Sequence, residues 1–194
     1  MWCIPPKQDA AFVCAMERVL DVYTRPHDPA RRDAEYERNG VAHLLLYYAP
    51  LEDWRRVDVR PDHVATTWAE GVRRLVQEDF PDAERITLVM DNLGTHAGAS
   101  LYKAFEPAKA RRLLGKLEFV YTPRHGSWPD MAEIEFSAMS RQCLDRRLPH
   151  PDAVRRETTA WTERRNDGGA PAKWRFTTED ARIKLHSLYP VISD

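Results

Sequence analysis

The chain has 194 residues, 43% of them hydrophobic and 30% charged, with a formal net charge of −1 at pH 7. That size and apolar fraction suffice for one domain with a substantial core and call for no second one. The balanced charge excludes a global drive towards polyanions, and no apolar run approaches the ~20 residues that cross a bilayer. With no basic leader carrying an apolar core, a soluble, cytoplasmic protein without a membrane partner is expected. Cys3, Cys14 and Cys143 have no ligand-like spacing and read as buried free thiols of a reducing compartment.

Taken in chain order, Pro5-Pro6 precedes a segment in which Phe12, Met16, Val19, Leu20 and Tyr23 share one helical face. Pro26 and Pro29 end it, so the spacing predicts an amphipathic helix. Val41 to Tyr48 is almost continuously apolar, as in a buried strand, and Trp54 to Val59 is its hairpin partner across Pro50-Leu51-Glu52-Asp53. Val64, Trp68, Val72, Leu75, Val76 and Phe80 follow helical spacing. Ile86 to Met90 reads as a buried strand, Ala99 to Leu114 as a helix interrupted at Pro107, and Leu117 to Tyr121 as a further strand.

Beyond a loop rich in turn formers, Ala132, Phe136, Met139 and Cys143 form the apolar stripe of another helix, with Glu133 one step round from it. A helix from about Asp152 to Arg165 follows, then the turn-rich stretch Asn166 to Pro171, then a helix from Thr178 to Leu188 that Thr177 or Thr178 can cap. Arg141 to Lys184 holds eleven Lys or Arg against seven Asp or Glu, a modest DNA-facing signal that a solvated helical surface explains equally well. No internal repeat or low-complexity tract marks a boundary.

The chemistry concentrates where the Ile86 to Met90 strand ends, at Asp91-Asn92 with Gly94-Thr95-His96 after it. A carboxylate at a strand end is held rigidly beside an irregular loop that has room for a metal and a substrate. The plainer alternative is a strand-end Asp in a turn or helix cap. Glu133 lies forty-two residues on, in the first turns of its helix, and strand, helix, strand, loop, helix can bring both acids to one sheet end. Hard Mg2+ prefers oxygen ligands, which suits carboxylates. Asn92 is placed to orient Asp91, and His96 to support the site or approach a phosphate. Arg124, His125 and Ser127 lie where phosphate contacts are natural, whereas Trp128 reads as packing beneath the loop more readily than as stacking on a base. Glu135 is the alternative to Glu133.

With these motifs the chain from Tyr36 to Pro190 resembles the catalytic region of bacterial insertion-sequence transposases of the mariner-like superfamily, in the group called IS six-thirty. The resemblance is carried by Tyr36-Glu37-Arg38-Asn39-Gly40, Asp91 to His96, His125-Gly126-Ser127-Trp128, Met131-Ala132-Glu133 and Trp174 to Arg182. It implies an α/β fold, a ribonuclease-H-like mixed sheet flanked by helices. It also implies two Mg2+ or Mn2+ ions on an Asp, Asp, Glu triad, in which Asp91 is the second acid and Glu133 the third. DNA, as transposon ends and target, is the implied partner, while the sequence leaves open whether the chain forms a homo-oligomer. Met-Ala-Glu favours Glu133 over Glu135.

Two departures matter. Relatives carry Leu-Asn where this chain has Pro129-Asp130. They also place the first acid on an apolar strand, in a Met-Asp-Glu string upstream of Tyr-Glu-Arg-Asn-Gly, whereas here His27 to Ala34 runs almost directly into that marker. Asp28, Asp33, Glu35 and Asp130 are the candidate substitutes for it. The resulting expectation is one catalytic domain over residues 1–194, with a remnant helix and deletion junction in 1–34 and a C-terminal helical extension in 152–190. The sheet would lack its first central strand, and metal binding would be weakened. The copy would be inactive through loss of the first acid and of the end-reading N-terminal region. Without the central strand, Val41 to Tyr48 should pair antiparallel with Ile86 to Met90, or the apolar edges should aggregate. A stand-alone metal-dependent nuclease and a non-catalytic DNA-binding or oligomerising fragment are the rival readings.

Overall fold

The computed structural model describes residues 10–23, 38–91, 93–122 and 131–169. Its centre is a five-stranded sheet built from β1 (Ala10–Tyr23), β2 (Arg38–Ala49), β3 (Trp54–Arg60), β4 (Arg85–Met90) and β5 (Leu117–Tyr121), in the order β3-β2-β1-β4-β5. β2 pairs antiparallel with β1 and β3, while β4 pairs parallel with β1 and β5. The hairpin between β2 and β3 turns at Asp53, whose φ of 50° falls in the left-handed region that Asp tolerates better than most residues.

Two expectations are corrected by β1. Residues 10–23 form a strand rather than an amphipathic helix, and they lie between β2 and β4, the runs expected to pair directly. The place expected to be vacant is therefore filled from within the first 34 residues, and the central strand is present. The physical reason is that Ala11, Phe12, Val13, Cys14 and Ala15 are all buried. A strand covered on both faces has no apolar alternation, and periodicity then cannot separate it from a buried helical run. Pairing on both edges also matters energetically, since each buried backbone group left without a partner costs about 1–3 kcal/mol.

The remaining elements fall where the sequence places them. Strand β2 contains Val41 to Tyr48, β3 contains Trp54 to Val59, and β4 and β5 hold the two later apolar runs. Helix α1 (Ala65–Arg74) continues into a π-helical turn, Leu75–Asp79. Pro107 divides the next helical stretch into α2 (Gly98–Ala104) and α3 (Pro107–Gly115), starting α3 at a position where its missing N–H costs nothing. Helix α4 (Met131–Met139) carries Glu133 in its first turn and runs into a second π-helical turn, Ser140–Leu144. Helix α5 (Pro151–Asp167) begins with Pro151 and is capped by His150, whose Nδ1 accepts from the Ala153 amide at 3.1 Å. The helix expected at Thr178 to Leu188 lies outside the described residues.

The sheet separates two apolar layers. On one face Val13, Ala15, Leu45, Tyr47, Ile86, Leu88 and Met90 pack under Trp68, Val72 and Leu75 of α1 and its extension, Leu101 of α2 and Leu113 of α3. On the other, Phe12, Cys14, Leu44, Leu46 and Val89 pack against Phe136 and Met139 of α4 and Val154 and Trp161 of α5. Each large side chain so buried contributes about 1.5–3 kcal/mol. Cys14 and Cys143 are both buried; Cys3 lies outside the described residues. Among the described residues no helix is long and apolar enough to cross a membrane.

Candidate active site

Alternation along β1 decides which acid reaches the end of the sheet. The parallel ladder with β4 runs from Ala10 opposite Arg85 to Cys14 opposite Val89, so β1 continues past the point where β4 stops at Met90. Extending that register sets Met16 level with Asp91. Glu17, on the same face as Val13 and Ala15, is then one residue further on. β1 thus supplies a carboxylate next to the end of β4.

The loop after β4 joins the two acids. His96 Nδ1 lies 3.2 Å from Asp91 Oδ1, and His96 Nε2 lies 3.1 Å from Glu17 Oε2. The imidazole is 3% exposed and stacked on Trp68, with ring centroids 5.6 Å apart. Its backbone is tied down by its own N–H to Leu93 O at 2.8 Å, and Tyr121 donates to its carbonyl at 3.4 Å. Both ring nitrogens face carboxylates, so only the doubly protonated ring can donate to both. Burial works against that proton, but the hydrogen bonds that Asp91 and Glu17 accept outweigh it and hold the His96 pKa above its ordinary value.

Glu17 has a second set of neighbours. Its Oε1 lies 3.3 Å from His43 Nδ1 on β2, and the His43 ring is 4.8 Å from that of His63, which follows β3. The hairpin explains the proximity: His43 pairs with Arg60, three residues before His63. Asp91 itself is 61% exposed, held through one oxygen by His96 and open to solvent otherwise.

Helix α4 approaches from the opposite layer, packing on β1 and β2. Residues two apart on a helix point roughly 200° away from each other, and Glu133 and Glu135 show the consequence. Glu135 is buried, 2.9 Å from Arg55 Nε, and accepts from Arg165 Nε at 3.1 Å and Nη2 at 2.9 Å. Arg55 is locked in turn by Asp53 and by Asn166, which accepts from the Arg55 amide at 3.0 Å. Glu135, weighed from sequence as an alternative ligand, is therefore a structural anchor of α4 against β3 and α5. Glu133 is half-buried, and among the described residues no hydrogen bond or ion pair ties up its carboxylate.

Of the residues singled out in the sequence, Asp91 and His96 are in direct contact, and Glu133 stands on the first turn of α4. Asn92, Arg124, His125, Ser127 and Trp128 lie outside the described residues, as do Asp28, Asp33, Glu35 and Asp130. Glu17, His43 and His63 escaped the sequence reading. For His43 the signal was a lone polar residue interrupting the apolar run Val41 to Tyr48, and for Glu17 it was the charged pair Glu17-Arg18 closing the apolar run Ala10 to Met16.

A mixed open sheet with helices on both faces and an acid at the end of β4 is the ribonuclease-H-like arrangement of transposase catalytic domains. The family model described as DDE superfamily endonuclease matches residues 9–155, and the chain belongs to that family. Among solved structures it is similar to the catalytic domain of the Mos1 mariner transposase, at a TM-score of 0.53 and 12% identity over 79% of this chain and 70% of that one. It is also similar to the Mos1 transposase paired-end complex with the left transposon end, at 0.55 and 13% over 79% of this chain and 48% of that one. The simian T-cell lymphotropic virus intasome is a third, at 0.53 and 10% over 95% of this chain and 56% of that one. At these identities the likeness is one of fold, and the chain spans about half the length of the Mos1 chain in the paired-end complex. No curated protein sequence matches it.

Proposed function

We propose that this chain is the catalytic domain of a DNA transposase, breaking and joining DNA strands with divalent cations held by Asp91 and Glu133. Glu17 of β1 stands as the acid of the central strand. The observation that carries this reading is the link from Asp91, at the end of β4, through His96 to Glu17 on the adjacent strand, within a DDE superfamily endonuclease. The expectation of inactivity rested on loss of the first acid and of the end-reading N-terminal region; β1 supplies the strand on which that acid was expected, with Glu17 as its carboxylate.

The donor chemistry fits hard cations. Asp91 offers solvent-facing carboxylate oxygen, Glu133 an untied carboxylate, and both suit Mg2+ or Mn2+. Two such ions, when bound, activate a water or 3′-hydroxyl and stabilise the leaving oxygen of a phosphodiester. The protein's part is positional. His96 fixes the Asp91 carboxylate by a hydrogen bond and is itself fixed by Trp68 and Tyr121, and the Glu135 anchor sets where the first turn of α4 sits. With its pKa held above the ordinary value, His96 favours the protonated form that can donate to both carboxylates.

DNA is the partner this reading requires, and end recognition belongs to the longer assemblies that the fold resembles. Nicking of supercoiled plasmid DNA tests the reading. Slow, sequence-independent nicking in Mg2+ or Mn2+ is expected, falling to the level of a protein-free control in folded Asp91→Ala and Glu133→Gln. Undiminished nicking by Asp91→Ala, or none by the folded wild-type chain, would contradict it.

A further inference from the structure

The side chains beside Glu17 have a different chemistry from the acids, and they point to a second kind of cation. We infer that Glu17, His43 and His63 form a binding site for a borderline divalent cation, with Zn2+ the best fit. One ligand atom from each of the three lies within 4.8 Å of the others. Two imidazole nitrogens and one carboxylate oxygen favour Zn2+ over Mg2+, which takes oxygen donors.

Distances support the assignment. Zn–N and Zn–O bonds of about 2.0–2.2 Å in a tetrahedron place neighbouring ligand atoms about 3.3 Å apart. Glu17 Oε1 and His43 Nδ1 are already 3.3 Å apart. His63 must close the remaining gap. It is exposed, on the short segment between β3 and α1, and free to do so by a rotamer change.

A second observation is independent of the spacing. His43 Nδ1 is fully buried and, among the described residues, has no hydrogen-bond partner, although Glu17 Oε1 is close by, because the two groups are not aligned as donor and acceptor. Burying an unsatisfied nitrogen is unfavourable, and a cation shared with Glu17 would use that lone pair. The other oxygen of Glu17 is held by His96 at 3.1 Å, the outer contact that commonly orients a ligating carboxylate. Three protein ligands leave a fourth position for water.

The inference shares Glu17 with the DNA-cleaving reading but does not depend on it, because the cluster of three side chains carries it alone. Its test uses Co2+, a coloured substitute for Zn2+, added to the chelator-treated full chain. One equivalent should give visible d–d bands that Zn2+ abolishes. His63→Ala, at an exposed position, and His43→Ala should weaken binding more than about tenfold, since even outer-shell partners are worth 10–100-fold. Glu133→Gln should retain the bands, and circular dichroism should confirm that every variant is folded. Absence of bands in the folded wild type, their persistence in both histidine variants, or their loss in Glu133→Gln would each overturn the inference. DNA nicking is not read in this experiment, so its outcome leaves the proposed activity to be judged separately.

Discussion

Two glutamates two residues apart have different surroundings. Glu135 lies in a buried cluster with Arg55 and Arg165, where removing one partner strands uncompensated charge. Glu135→Ala should therefore cost about 3–5 kcal/mol in urea unfolding, while Glu133→Ala should cost under about 1 kcal/mol and yet abolish nicking. Equal stability losses would mean that the roles are misassigned. Cys143 gives a pH-dependent counterpart, because burial pushes its thiol up to about 11. At pH 8 its thiolate fraction is roughly 200-fold below that of an ordinary thiol of pKa about 8.5. The sign follows from the raised value: alkylation at Cys143, followed by peptide mass spectrometry, should be slow at pH 8 and rise about tenfold per pH unit towards pH 11. A rate already level by pH 9 would contradict the burial argument. At this scale Asp91 was legible because it ends an apolar strand before a Gly-containing loop. Glu17 was not, because a charged residue in a segment read as a helix is simply assigned to its solvent face.

Among the elements, β1 decides the architecture, being the strand paired on both edges next to the end of β4. Its amides at Val13, Cys14 and Ala15 should exchange with deuterium only through global unfolding, as slowly as those of β4. Exchange of β1 that is faster than that of the edge strands β3 and β5 would mean that it does not occupy the centre. Most other elements were readable from sequence for physical reasons. Pro107 marks a helix start, Pro50 to Asp53 a hairpin turn, and the 4-3-4 spacing of Ala132, Phe136, Met139 and Cys143 a one-sided helix. Strand β1 resisted because both its faces are covered, which erases the period of two that identifies a half-buried strand.

For the whole molecule, the sheet acts as a partition between two layers. Helices α1 to α3 and the loop carrying His96 occupy one layer, and α4, which brings Glu133, occupies the other; an acid from each layer can meet only where the strands end. Family membership over residues 9–155 was legible from short strings around Asp91 and Glu133, since those strings describe strand ends and helix starts that this chemistry requires. The central claim is that Asp91 and Glu133 share a cation at those strand ends. Fe2+ with ascorbate and peroxide tests it directly, because radicals released by bound iron cut the backbone beside its ligands. The account predicts paired cuts near Asp91 and near Glu133, suppressed together by excess Mg2+ and lost together in Asp91→Ala. Cuts near one acid without the other, or cuts that survive Asp91→Ala, would contradict it.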